Sequence, residues 1–225
     1  MDHERTKSSG MRNALLLISI LSLSVAGLLW LGQVPKESGV AELHSLGVIA
    51  IPEPRELSDH ALVDQLGNRF DVRRLNGHWS FIFFGYTRCP DICPVTMSIL
   101  GQAERLIEGG QGGNNLADGF QGILVSVDPE RDGEGVLGAY VTAFSPAFIG
   151  LTGTGAAVKS FGLQLGIGYR KGEPIDSEIG YLIDHSPYIV VVDPAARHYG
   201  YIKPPFDAGR IALIYSKLRQ IQVAS

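Results

Sequence analysis

Between Asn13 and Pro35 the chain carries no charged residue, and the middle of that run, ALLLISILSLSVAGLLWL, is strongly apolar. About 20 such residues cross a hydrocarbon core as one helix, because inside lipid every backbone N–H and C=O must be satisfied within the segment. The run therefore predicts a single transmembrane anchor over residues 13–34. A cleaved signal peptide competes with this reading, since Arg5, Lys7 and Arg12 precede the run as a basic n-region would. Retention is favoured because the run is long for a signal and its one small-residue site, SVAG, is followed by the equally apolar LLWL. Only Lys36 lies soon after the run, so the positive-inside bias puts residues 1–12 in the cytoplasm and exports everything after Val34. Trp30 suits the far interface. Residues 35–56, which include IPEPREL, lose periodicity and read as an extended tether. The short basic amino terminus leaves little room for a mitochondrial transit peptide. The expected location is a bacterial inner membrane, with a folded domain, 57–225, in the periplasm.

Of the 225 residues 45% are hydrophobic, enough for a good core, and the formal charge of -4 with scattered basic residues offers no footprint for nucleic acid. Within 57–225 the pattern alternates between strands and helices. ALVDQLGNRFDV reads as a hairpin, WSFIFFGY and FQGILVSV as strands buried on both faces, and FIGLTG as a short strand. Met97, Leu100, Ala103, Leu106 and Ile107 mark a helix that stops at GGQGGNN. Val136, Leu137, Tyr140, Val141 and Phe144 mark a second helix. A helix from Thr154 to Phe161 follows, then a hairpin of YIVVVDP and RHYGYIK and a closing helix from about Asp207 to Gln220. This order predicts a mixed sheet flanked by helices on both faces. GGQGGNN is a polar loop rather than a phosphate cradle, and GTGAAVKSFG lacks the third glycine of a dinucleotide loop.

The chain has two cysteines, Cys89 and Cys93, in FFGYTRCPDICPVTM. A bridge between them closes so short a loop that it stabilises little, so a structural disulfide alone does not explain the pair. The segment lies between a buried strand and a helix start. With Pro94 at the first helical position, Cys93 stands near the N-cap, where free N–H groups favour its thiolate. Three intervening residues, one more than in thioredoxin-like C-x-x-C sites, permit either a disulfide or a shared metal ion. Two thiolates favour Cu(I) or Zn(II), and a structural zinc site asks for four ligands that the chain's cysteines do not supply. Of the six histidines, His3 is on the cytoplasmic side, His44 in the tether, and His60, His78 and His198 beside strand or turn signals. His185, in YLIDHSPYIVVVDP, lies in a loop before a buried strand, where α/β sheets gather functional groups, and is the candidate third ligand.

FFGYTRCPDICP, VSVDPERD, LGAYVTAFSPAFIGLTG and YLIDHS, in this order, resemble the Sco/SenC family, and the resemblance covers essentially the whole exported domain. It implies a thioredoxin-like fold and a membrane-anchored copper protein serving cytochrome c oxidase assembly. By the resemblance, Cys89, Cys93 and His185 are the copper ligands, with Cys89 and Cys93 also able to form a disulfide. The partners it implies are the copper-site subunit of the oxidase and other copper chaperones. This chain departs from the family where DPERD continues with Gly-Glu-Gly instead of Thr-Pro, and where His60 in SDHALVD replaces an aromatic. Asp128, Pro129, Arg131 and Asp132 match a family motif and read as a turn and helix cap.

The leading expectation is a copper metallochaperone delivering its ion to the binuclear copper centre of the oxidase, from an exposed, shallow site. The alternative is a thiol-disulfide oxidoreductase that reduces the cysteines of that same subunit, with Cys89 and Cys93 as its catalytic pair. A peroxiredoxin-like peroxidase fits less well, since P-x-x-x-T-x-x-C is not met: Thr87 is one residue too near Cys89 and the proline is absent.

Overall fold

The computed structural model describes residues 17–25, 36–109, 119–175 and 180–223. The chain divides into two compact units, 1–39 and 40–225. In the first, residues 17–25 form a helix (α1) whose side chains are all exposed, apolar ones such as Leu17, Leu21 and Leu23 included. The rest of the expected anchor over 13–34, and the cytoplasmic segment 1–12, lie outside the described residues. Among the described residues no helix is long and apolar enough to cross a membrane.

The second unit is built on a strand that carries no polar pattern at all. β4, Trp79–Gly85, is buried at every position, as a strand covered on both faces must be. It pairs in parallel with β5, Phe120–Ser126, which in turn pairs in parallel with β6, Ile149–Thr152. On its other side it pairs antiparallel with β9, Ile189–Val192, and β9 with β10, Arg197–Ile202, through the expected hairpin. The hairpin of β2, Leu62–Asp64, and β3, Arg69–Phe70, closes the β6 side. With β1, Val48–Glu56, the order is β1-β10-β9-β4-β5-β6-β2-β3.

Side-chain alternation along β4 sends its residues to two helical layers. Phe81 stacks on Phe120, 4.8 Å between centroids, and faces Tyr215 of α6, Ala208–Val223, which packs against α3, Ile92–Glu108. Phe84 points the other way, 5.9 Å from Phe161 of α5, Gly155–Gln164. α4, Glu134–Thr142, packs on β6 through Leu137 and Val141, so the mixed sheet carries helices on both faces as expected. Two residues assigned to helix faces from the sequence, Leu106 and Val136, are instead more than half exposed.

The structure differs from the tether reading of 35–56. Residues Lys36–Ser45 form a helix (α2) with Leu43 fully buried, and Val48–Glu56 is the edge strand β1, antiparallel to β10. Pro52 and Pro54, which favour the extended backbone read as a tether, lie within this strand, where proline cannot donate to the ladder. At an edge, across a register shift between Ala50 and Arg55, that loss is tolerated. Gly200 permits the pairing, because a Cβ there would lie 2.2 Å from the Ile49 carbonyl oxygen.

His198 of β10 is 3% exposed and its Nε2 has no hydrogen-bond partner among the described residues. Burial, with Arg55 nearby, pushes its pKa down to about 4 from the ordinary 6.5. The unfolded chain therefore binds the proton first, and stability is lost as pH falls from about 6.5 toward 4. In urea unfolding across that range, His198→Phe is expected to flatten this acid limb, by an amount on the order of 2 kcal/mol at pH 4. An identical pH slope in the variant would show that His198 is not the group responsible.

Candidate metal centre

β4 ends at Gly85, and the chain turns back with the Cys89 N–H donating to the Tyr86 carbonyl, 3.3 Å. α3 then begins, with Asp91 as its N-cap. The helix starts earlier than the sequence reading placed it: Cys93 lies inside the first turn and Pro94 stands one position further in. Proline remains harmless there, because the first N–H groups of a helix have no intrahelical acceptor. Gly85 is required by close approach, since a Cβ on it would lie 2.9 Å from the Cys93 sulfur and 3.1 Å from the Phe83 ring.

The donor atoms of Cys89, Cys93 and His185 all lie within 4.8 Å of one another, and the Cys93 sulfur is 3.5 Å from His185 Nε2. Among the described residues this is the only such group of three or more metal-ligating side chains. His185 does not lie in a loop. It ends β8, Ile183–His185, which forms a separate two-stranded sheet with β7, Tyr169–Lys171. These strands are too short and polar to register as a period in the sequence. The His185 ring is held edge-on to Phe83 and Tyr86, with centroids at 5.5 and 6.2 Å. Its Nδ1 lies 3.2 Å from the Ser186 carbonyl oxygen, an acceptor only, so Nδ1 carries the proton and Nε2 turns its lone pair to the sulfurs. Tyr86 also receives the Ile183 N–H on its hydroxyl oxygen, 3.2 Å, which fixes β8 next to the cysteine turn.

The two thiols are unequal, in the sense opposite to the sequence expectation. Hydrogen bonding from Cys93 and from the backbone N–H groups of Asp91 and Cys93 holds the Cys89 pKa down at about 3 against the opposing effect of burial. The neighbouring Cys89 sulfur and burial push Cys93 well above its ordinary value. Cys93 is fully buried, Cys89 is 9% exposed and His185 is partly exposed, so the centre is more enclosed than the open, shallow site expected from the sequence and is reached past Cys89 and His185. Both cysteines are free.

Asp132, read from the sequence as a turn or cap residue, does not cap α4, whose N-cap is Gly133 with no side-chain bond. Fully buried, it accepts from the Thr87 N–H at 2.9 Å, the Thr87 hydroxyl at 2.6 Å and the Ser126 hydroxyl at 2.7 Å. It thus fastens the cysteine turn to the end of β5. The only sequence signal for this role was the DPERD motif itself. Of the other histidines, His60 bonds Gln164 at 2.8 Å and packs on Phe161, and His78 meets the Asn76 carbonyl at 2.9 Å. His44 is exposed in the last turn of α2, and His3 lies outside the described residues.

A profile of the SCO1/SenC family matches residues 50–220, which include all three ligand candidates. The chain belongs to the SCO1/SenC family. A zebrafish relative, the mitochondrial protein SCO2 homolog, is 30% identical over 82% of this chain, and the match spans 63% of that protein. Among solved structures, Arabidopsis thaliana ScoI with copper bound is similar with a TM-score of 0.63 and 31% identity, covering 75% of this chain and 98% of that one. Yeast Sco1 with copper bound also gives 0.63, at 27% identity, covering 75% and 90%. The thioredoxin-like sheet of this SCO1/SenC chain is therefore the frame on which its Cys89–Cys93–His185 cluster sits.

The charge asymmetry predicts where a soft electrophile goes. At pH 6, iodoacetamide treatment of the reduced protein is expected to label Cys89 and spare Cys93, as read by peptide mass mapping, at a rate nearly independent of pH between 5 and 8. Preferential labelling of Cys93, or a rate rising tenfold per pH unit, would contradict the assignment.

Proposed function

We propose that this protein is a membrane-anchored copper carrier that binds copper through Cys89, Cys93 and His185 and delivers it to the binuclear copper site of cytochrome c oxidase. The observation that carries the proposal is the convergence of two sulfurs and one imidazole nitrogen within 4.8 Å. Two soft sulfurs and one imidazole suit three-coordinate Cu(I), whereas a closed zinc site needs a fourth ligand, and the sequence has no third cysteine. The related Arabidopsis and yeast proteins were solved with copper bound. Family membership supports the oxidase copper-site subunit as recipient, with other copper chaperones as further partners. The apolar run over 13–34 supports an inner-membrane anchor with the cluster on the periplasmic side.

The residues divide the work of holding the ion. Cys89 meets it as a thiolate already formed, His185 Nε2 offers a lone pair without losing a proton, and Cys93 gives up its proton on binding. A second reading, thiol-disulfide exchange with the oxidase subunit, is favoured by the same asymmetry: an ionised Cys89 attacks and an adjacent protonated Cys93 resolves.

Competition titration of the full-length, detergent-solubilised protein is expected to show one Cu(I) per chain and release of about one proton at pH 7, because only Cys93 has a proton to lose. Cys89→Ser and Cys93→Ser should each abolish tight binding. His185→Ala should weaken it on the order of 10- to 100-fold while leaving disulfide exchange with a model disulfide largely intact. Unchanged affinity in His185→Ala would remove His185 from the ligand set. Failure of the wild type to bind Cu(I), with exchange preserved, would leave the oxidoreductase reading.

A further inference from the structure

The histidine and the cysteines come from different parts of the fold, so something must set the distance between them. β7 and β8 share only three residue pairs, Tyr169↔His185, Arg170↔Asp184 and Lys171↔Ile183. A two-stranded ribbon of that length does not hold its own position in water. The Arg170–Asp184 ion pair on it is more than three-quarters exposed on both sides and contributes little.

Besides the Ile183 N–H bond to the Tyr86 hydroxyl, the ribbon is attached to the domain through Tyr181, just ahead of β8. Its hydroxyl donates to Asp128 Oδ1 at 2.7 Å, and Asp128 is 3% exposed. The Arg131 guanidinium lies 3.5 Å from the Tyr181 ring centroid and donates from Nη2 to the Tyr181 carbonyl at 3.3 Å, while its Nε is bonded to Asp128 Oδ2. Lys171 Nζ lies 3.9 Å from the same ring and pairs with Glu130 at 2.8 Å.

The turn that receives Tyr181 is the one that holds the cysteines. The Asp128 N–H donates to Ser126 Oγ at 3.0 Å, and that hydroxyl donates to Asp132, which holds Thr87 two residues ahead of Cys89. Hydrogen bonds thus run without a break from Tyr181 through Asp128, Ser126 and Asp132 to Thr87. We infer that Tyr181 is a positioning residue for His185, its hydroxyl on Asp128 fastening the histidine ribbon to the same 126–132 turn that fastens the cysteine loop. This rests on the copper reading only where metal is measured.

Tyr181→Phe removes the hydroxyl and keeps the ring on which Arg131 and Lys171 pack, so the fold is retained. In the metal-free protein, hydrogen exchange at the Ile183 and Gly172 amides is expected to rise about tenfold, with the β4 amides unchanged. Cu(I) affinity is expected to fall about tenfold when His185 is present and to be unaffected by Tyr181→Phe in a His185→Ala background, since a clamp acting only through His185 has nothing left to position. Unchanged exchange at Ile183 and Gly172, or an equal loss of affinity in both backgrounds, would overturn the inference. If the wild-type protein bound no Cu(I), the functional reading would fall and the exchange measurement would still decide the clamp.

Discussion

A buried carboxylate is costly unless its oxygens are occupied, and Asp132, at 0% exposure, is occupied three times over. Two of its donors belong to Thr87, in the turn that carries Cys89, and the third is Ser126, the last residue of a central strand. Each donor would be left unsatisfied in the interior if the carboxylate moved, so the geometry is fixed by the cost of breaking it more than by the gain of making it. The cysteine turn is thereby tied to the end of β5, an interior strand of the sheet. Gly85 completes the restraint from below, where space for the Cys93 sulfur exists only because the strand end has no side chain.

The core strands, the order of helices and the two-cysteine, one-histidine cluster were legible in the sequence because each leaves a strong local mark. WSFIFFG is apolar but for Ser80, Cys89 and Cys93 stand between that strand and a helix start, and His185 was marked as a ligand by the family resemblance of YLIDHS. The edge strand β1 was not legible: prolines that argue against a central strand say nothing against an edge, and whether a segment is an edge is a property of the assembled sheet. The β7–β8 ribbon was hidden for a related reason. Three residues per strand are too few to show a period, and the ribbon is held by bonds to residues far off in sequence, Ile183 to Tyr86 and Tyr181 to Asp128.

Asp132 illustrates a further limit. A carboxylate two residues ahead of a helix start looks like a cap in the sequence, since Asp is among the preferred capping residues. The choice between capping α4 and bonding Thr87 depends on which donors the tertiary fold brings within reach, and here the cysteine turn offers two and the end of β5 a third. Gly133, taking the cap position without a side-chain bond, leaves Asp132 free to point inward. The departure of this chain from the family's Thr-Pro after the motif thus leaves the inward bonds of Asp132 in place.

The placement of charge within the cysteine pair follows from where the N–H groups point rather than from distance to the helix start. Cys93 is nearer the helix in sequence, yet it lies inside the first turn, walled by Gly85, Phe83 and the sheet, with no water to solvate an anion. Cys89 sits just outside that turn, where the backbone N–H groups of Asp91 and Cys93 and the Cys93 thiol all donate toward its sulfur. One sulfur is therefore an anion before anything binds, and the other stays neutral because a second charge beside the first, in a dry pocket, is opposed by both repulsion and desolvation. A monovalent soft cation relieves that opposition. It would screen one thiolate from the other and let the second proton leave, so a pocket that on its own resists two negative charges would accept them with a positive charge bound.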